Sequence, residues 1–164
     1  MKHLYAAYGA NTNIESMQSR CVDSSPFGGY KDLTLSRALL PNYKLTFNKF
    51  ADVRPHVNSS VEVALWEISS PDFVDLDYFE GYPYYYGKKQ VPVTLANGQT
   101  MLAWIYYMKD NNSIAAPSKS YLQLLRDGYN AFTLNANQID QAIAEVDKKI
   151  VARKNIGKFK YGRR

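Results

Sequence analysis

Between residues 61 and 81 the hydrophobic period changes once, and the change is punctuated on both sides. Val61, Val63 and Leu65 alternate and carry into Trp66 and Ile68, which is the period of a strand. Ser70 then offers an N-cap, Pro71 suits the first helical position, Asp72 suits the positive end of the helix dipole, and Gly81 offers a stop. The spacing predicts a helix over 70–81 with Phe73, Leu76 and Glu80 on one face. A hairpin follows, with strands over 90–95 and 101–108 joined at Asn97-Gly98. A chain that passes from strand to helix to hairpin is neither all-helical nor all-β.

The remaining segments extend this pattern. Residues 3–8 read as a strand ending in a Gly-containing turn at Gly9, and Thr12 with Glu15 makes a capping box. Ile14, Met17 and Cys21 then share a helical face. Leu33, Leu35, Tyr43, Leu45 and Phe47 alternate as strands, with a turn at Pro41-Asn42. A helix is expected over 118–128, and another from Asn137 with Ile139, Ile143, Val146 and Ile150 inward. Strands and helices do not alternate strictly, so the predicted class is α+β. It takes the form of a compact, mixed, β-barrel-like sheet with peripheral helices.

Length and charge bound the rest. With 164 residues the chain fits one domain, assigned to 1–150, followed by a basic tail over 151–164. Residues 148–164 carry eight Lys and Arg and no acid, so a net charge of +5 leaves −3 on residues 1–147. The basic character therefore belongs to the end of the chain. Residues 155–164 contain two glycines and few apolar residues and are expected to fray. No apolar run reaches the roughly 20 residues that span a bilayer, and the N-terminal apolar stretch is too short for a secretory signal; a cytoplasmic protein without membrane attachment is expected. One cysteine, Cys21, and two histidines, His3 and His56, give no disulfide framework and no metal-ligand pattern, so no metal and no cofactor are assigned. Cys21 reads as a small core residue.

Two places carry candidate chemistry. At Tyr8-Gly9-Ala10-Asn11 a strand meets a helix start, where successive N–H groups can form an anion-binding nest or simply turn the chain. Glu80 ends the apolar stripe of its helix, where desolvation raises a carboxylate pKa, and Asp77 three residues earlier is placed to raise it further. The competing reading is a frayed helix end with Glu80 in water. Beyond it, the tyrosine run Tyr82-Pro83-Tyr84-Tyr85-Tyr86 either lines a polar pocket or covers a sheet edge.

In this order the segments resemble the γ-glutamyl cyclotransferase family, AIG2-like proteins included. The family's Tyr-Gly-Ser-Asn turn is similar to Tyr8-Gly9-Ala10-Asn11, and its Leu-Asp-x-x-Glu-Gly stands intact as Leu76-Asp77-Tyr78-Phe79-Glu80-Gly81. Val63-Ala64-Leu65-Trp66-Glu67-Ile68 resembles a family strand, and Tyr86, the Asn97-Gly98 turn, Ala103 to Met108, Ala116-Pro117-Ser118-x-x-Tyr121 and Gly128 follow in register. The resemblance covers roughly residues 3–147. Ala10 replaces the commoner Ser, and the loop over 52–60 matches no one subfamily.

The resemblance implies a lyase-type enzyme that releases 5-oxoproline from a γ-glutamyl amide, the substrate's own α-amine attacking its γ-carbonyl. It implies Glu80 as general acid/base, and Tyr8, Gly9, Ala10, Asn11, Tyr86 and Tyr121 as substrate-binding residues. The partner implied is a small γ-glutamyl molecule. Three rival readings are a related enzyme on the same scaffold that cyclises γ-glutamyl amines or removes a γ-glutamyl protecting group, a binding protein that keeps the cavity without turnover, and nucleic-acid binding through the basic tail and the tyrosines.

Overall fold

The computed structural model describes residues 1–109 and 113–161, with side chains of the final helix described to residue 158. The elements run β1 (Lys2–Ala7), α1 (Ile14–Arg20), β2 (Ser25–Pro26), β3 (Arg37–Asn48), β4 (Phe50–Ser69), α2 (Ser70–Glu80), β5 (Tyr86–Leu95), β6 (Thr100–Met108), α3 (Lys119–Phe132) and α4 (Asn137–Tyr161). Single 3-10 turns occupy Ala10–Thr12 and Leu33–Ser36.

The sheet has the order β1-β6-β5-β3-β4-β2, and β1 also pairs antiparallel with β4 from Lys2↔Ser69 to Ala7↔Ala64. That second pairing bends five strands into a ring and leaves β2 outside it. The ring is not a strict barrel: β1 meets β6 only at Tyr5↔Trp104, and β3 meets β5 only at Ala38↔Leu95 and Leu39↔Thr94. The α+β class with a curved sheet and peripheral helices is the observed one, with two open seams. Val63 and Leu65 point to one face of β4 and Ala64 and Trp66 to the other, yet all four are fully buried. Trp66 is covered by Phe132 of α3, edge to face at 5.7 Å.

Several local expectations are corrected. Ser69, not Ser70, caps α2, accepting from the Asp72 amide at 3.2 Å. Asn13, not Thr12, caps α1 by accepting from the Ser16 amide, while the Thr12 hydroxyl donates to Gly9 O at 2.7 Å. Residues 33–36 form a 3-10 turn capped by Asp32 rather than a strand. Pro41-Asn42 does not divide two strands: β3 runs through it with a register shift between Pro41 and Tyr43, and Asn42 takes φ 62°. The expected loop over 52–60 lies within β4, because the chain turns earlier, at Lys49 between the paired Asn48 and Phe50.

At its C-terminal end α3 passes through Gly128 to Phe132. Gly128 is a contact rather than a stop: a Cβ there would lie 2.4 Å from Thr12 Oγ1 and 2.6 Å from the Asn13 amide nitrogen. Fraying from residue 155 is not seen, since α4 continues to Tyr161; residues 162–164 lie outside the described residues. Lys and Arg are good helix formers and their charge suits the negative end of a helix, which offsets Gly157. Among the described residues no helix is long and apolar enough to cross a membrane.

Candidate active site

Leu76 is fully buried and Phe73 nearly so, which fixes the face that α2 turns inward. Glu80 leaves the last turn of that face. Gly81, at φ 65° and ψ 32°, ends the helix in the left-handed conformation that glycine tolerates best. The carboxylate therefore opens into a cavity of about 750 Å³. All seven residues singled out in the sequence, Tyr8, Gly9, Ala10, Asn11, Glu80, Tyr86 and Tyr121, line this one cavity.

Asn11 holds the centre of the site. Its Nδ2 donates to Glu80 Oε1 at 3.0 Å and to the Tyr5 hydroxyl at 3.0 Å. Its Oδ1 accepts from Arg20 Nη1. With both ends engaged and the side chain almost fully buried, the amide is locked in one orientation. The Arg20 guanidinium also stacks on Phe79, 3.6 Å from the ring centroid.

Burial pushes Glu80 up to about 7, against the opposing pull of the Arg20 charge and the Asn11 hydrogen bond. Its remaining exposed surface faces the cavity, so the group is desolvated yet reachable. Asp77 does not contribute as expected. It turns away to Lys88 Nζ at 2.6 Å and accepts from the Tyr106 hydroxyl at 2.7 Å, tying α2 to β5 and β6.

Gly9 takes φ −118° and ψ −136°, outside the regions that residues with a Cβ favour. Space is tight as well, because a Cβ would come 3.0 Å from Ala51 Cβ and 3.3 Å from the Tyr121 hydroxyl. That close approach brings the turn after β1 against β4 and α3. Tyr8 is committed to the scaffold: its hydroxyl donates to Tyr106 O at 2.7 Å and its carbonyl accepts from the Tyr129 hydroxyl at 2.7 Å.

Tyr86 and Tyr121 both engage the backbone of Ala51, with opposite polarity. The Tyr86 hydroxyl donates to Ala51 O at 3.0 Å, so toward the cavity it presents only lone pairs. The Tyr121 hydroxyl accepts from the Ala51 amide at 3.0 Å, so its own proton is free to be donated. Burial pushes Tyr121 up to about 12 and Tyr86 further up, which keeps both protonated at neutral pH. One acceptor and one donor thus flank the same cavity wall.

The sequence did not single out Arg20, Tyr5 or Ala51. Arg20 lies three residues after Met17 on the buried face of α1, a placement that flags an inward cation. Ala51 contributes backbone alone and leaves no signal in residue type. Cys21 is buried and pushed up to about 12, mainly by desolvation, so it is a neutral thiol in the core.

A cavity at one end of the curved sheet, with one buried carboxylate aimed into it, has the form of a small-molecule site. Residues 5–123 match the family model "Gamma-glutamyl cyclotransferase, AIG2-like", and the chain belongs to that family. A Methanocaldococcus jannaschii protein bearing the name "putative gamma-glutamylcyclotransferase" is 24% identical over 83 residues, spanning 48% of this chain and 69% of that one. Among solved structures, one titled "Gamma-glutamyl cyclotransferase" superposes with a TM-score of 0.75 at 21% identity, over 87% of this chain and 86% of that chain. An uncharacterized human protein gives 0.74 at 22% identity, over 86% of each chain. At these identities the solved structures establish the shared fold.

Proposed function

We propose that the cavity takes the glutamyl half of a γ-glutamyl amide and that Glu80 moves the protons of an internal ring closure. The substrate's α-ammonium gives a proton to the Glu80 carboxylate. The freed amine attacks the γ-carbonyl carbon, forming a C–N bond that closes a five-membered ring. The amide C–N bond then breaks, and the leaving nitrogen takes the proton back from Glu80. The products are 5-oxoproline and a free amine, and the atoms balance without a co-reactant. Because nucleophile and electrophile belong to one molecule, much of the acceleration is intramolecular, with effective molarities of about 10⁵ M or more.

The observation that carries this reading is the Glu80 carboxyl raised to about 7 at the cavity wall. Raising the acceptor carboxyl from 4.5 to about 7 lowers the cost of taking the substrate's ammonium proton by roughly 3 kcal/mol. Asn11, itself anchored by Arg20, holds the carboxylate in place without fully ionising it. The turn over residues 8–11 is assigned to the substrate carboxylate and the developing oxyanion through backbone N–H groups. The Tyr121 proton and the Tyr86 lone pairs orient the glutamyl group.

The test is 5-oxoproline release from a panel of γ-glutamyl dipeptides and amines, wild type beside Glu80→Gln. Release that falls by orders of magnitude in the variant while ligand binding survives supports the reading. Equal release in both proteins refutes the role of Glu80. Binding without release in the wild type would make the cavity that of a binding protein.

A further inference from the structure

Four aromatic side chains stand at the mouth of the cavity with unusual exposure: Tyr78 is 90% exposed, Tyr84 84%, Tyr85 78% and Phe79 47%. A contiguous exposed aromatic patch at the mouth of a cavity marks a binding surface. All four line the same cavity as the Glu80 carboxylate. Tyr78 and Phe79 precede Glu80 on α2, and Gly81 folds the chain back so that the Tyr84 and Tyr85 amides both donate to Gly81 O at 2.9 Å. The Tyr85 ring lies against Gly81, where a Cβ would approach its Cδ2 to 2.5 Å. The backbone thus folds the Tyr84–Tyr85 segment back against the end of α2.

Two further observations say what covers them. The cavity, at about 750 Å³, lies in the range that accommodates a drug-sized ligand, well beyond a glutamyl group. Its lining carries two charged side chains among the described residues, Glu80 and Arg20, and Arg20 is already engaged by Asn11 and Phe79. Apart from Arg20, a leaving amine bearing a carboxylate would find aromatic faces there and no cation among the described lining residues.

We propose that Tyr78, Phe79, Tyr84 and Tyr85 form a leaving-group subsite that selects γ-glutamyl amides of arylalkyl amines over those of glycine or acidic amino acids. The inference rests on the proposed function for its orientation, with the glutamyl half at Glu80 and the amine half toward the rim. No carboxylate on the amine half is required.

The experiment compares γ-glutamyl-phenethylamine, γ-glutamyl-phenylalanine, γ-glutamyl-glycine, γ-glutamyl-glutamate and a γ-glutamyl diamine. It reads 5-oxoproline release in wild type, and equilibrium binding by calorimetry in Glu80→Gln, where turnover cannot interfere. Stacking on aromatic rings should favour the phenethylamine amide over the glycine amide by about tenfold in kcat/KM and in affinity. The Tyr78→Ser/Tyr84→Ser double variant, altered at solvent-facing side chains, should lower that ratio. A preference for the glycine, glutamate or diamine amide, or a ratio unchanged in the double variant, overturns the subsite. If no substrate releases 5-oxoproline in the wild type, the cyclotransferase reading fails on its own. The binding ratio then still decides the subsite.

Discussion

Asn11 Nδ2 lies 3.0 Å from Glu80 Oε1, while the other end of the same amide accepts from Arg20. The two residues are 69 positions apart, and their contact joins the turn after β1 to the end of α2. Hydrogen bonding and a nearby cation both favour the ionised carboxylate, and burial outweighs them. Arg20→Met should therefore raise the Glu80 pKa above about 7. The acid limb of a kcat/KM–pH profile, which follows ionisation of Glu80 in the free enzyme, should move to higher pH. Asn11→Ala should move it the same way. A limb that stays fixed, or moves down, would contradict the control assigned to these two groups.

Glu80 also makes a prediction about folding. Its folded-state pKa of about 7 lies above the ordinary 4.5, so the native chain holds this proton more tightly than the unfolded chain does. The sign follows: its contribution to stability is fully present below about pH 4.5 and is lost as pH rises through about 7. The shift corresponds to roughly 3 kcal/mol, an order-of-magnitude figure. Glu80→Gln removes the charge and keeps the shape. Its stability relative to wild type should thus rise between pH 5 and pH 8 by up to that amount, measured by urea unfolding at both values.

The site was legible where side-chain chemistry and helix punctuation coincide. Glu80 was found because Phe73 and Leu76 fix the inward face of α2 and Gly81 marks its end. Asp77 was misjudged because i−3 spacing on a helix fixes proximity to Glu80 but not which neighbour wins, and Lys88 with Tyr106 lies on strands that come later. Pro41-Asn42 looked like a turn because proline and asparagine favour one. A bulge tolerates the same pair, and only pairing with β4 distinguishes the two. Closure of the ring depends on β1 pairing with the far end of β4, a contact between distant segments that leaves no local pattern.

Gly128 separates helix propensity from packing. Alanine in the middle of a helix should gain up to about 1 kcal/mol over glycine. The added methyl would meet the Thr12 hydroxyl at 2.4 Å and the Asn13 backbone at 2.6 Å, and backbone cannot swing aside. Gly128→Ala should accordingly destabilise the protein by about 1–3 kcal/mol, the usual cost of overpacking, as read by denaturant unfolding. It should also displace the Ala10–Thr12 turn that leads to Asn11 and lower turnover. A stabilised variant would show that the α3 contact with that turn is loose.

The opposite hydrogen-bond polarities at Ala51 give Tyr86 and Tyr121 separable effects. Because the Tyr86 proton is given to Ala51 O, its oxygen can serve only as an acceptor for the substrate's α-ammonium. Tyr121, holding the Ala51 amide, keeps a proton for a substrate oxygen. Each phenylalanine variant strands one backbone group of Ala51 and should cost about 1–3 kcal/mol of stability. Binding should then divide them. Tyr86→Phe should weaken an unreactive ligand bearing the α-amine by about tenfold and leave its desamino counterpart unaffected, since only the first offers a charged donor. Tyr121→Phe should weaken both, because both retain the oxygen it serves. Paired competition assays with Glu80→Gln as background read this directly. Identical losses for both ligands in Tyr86→Phe would show that its oxygen does not meet the amine.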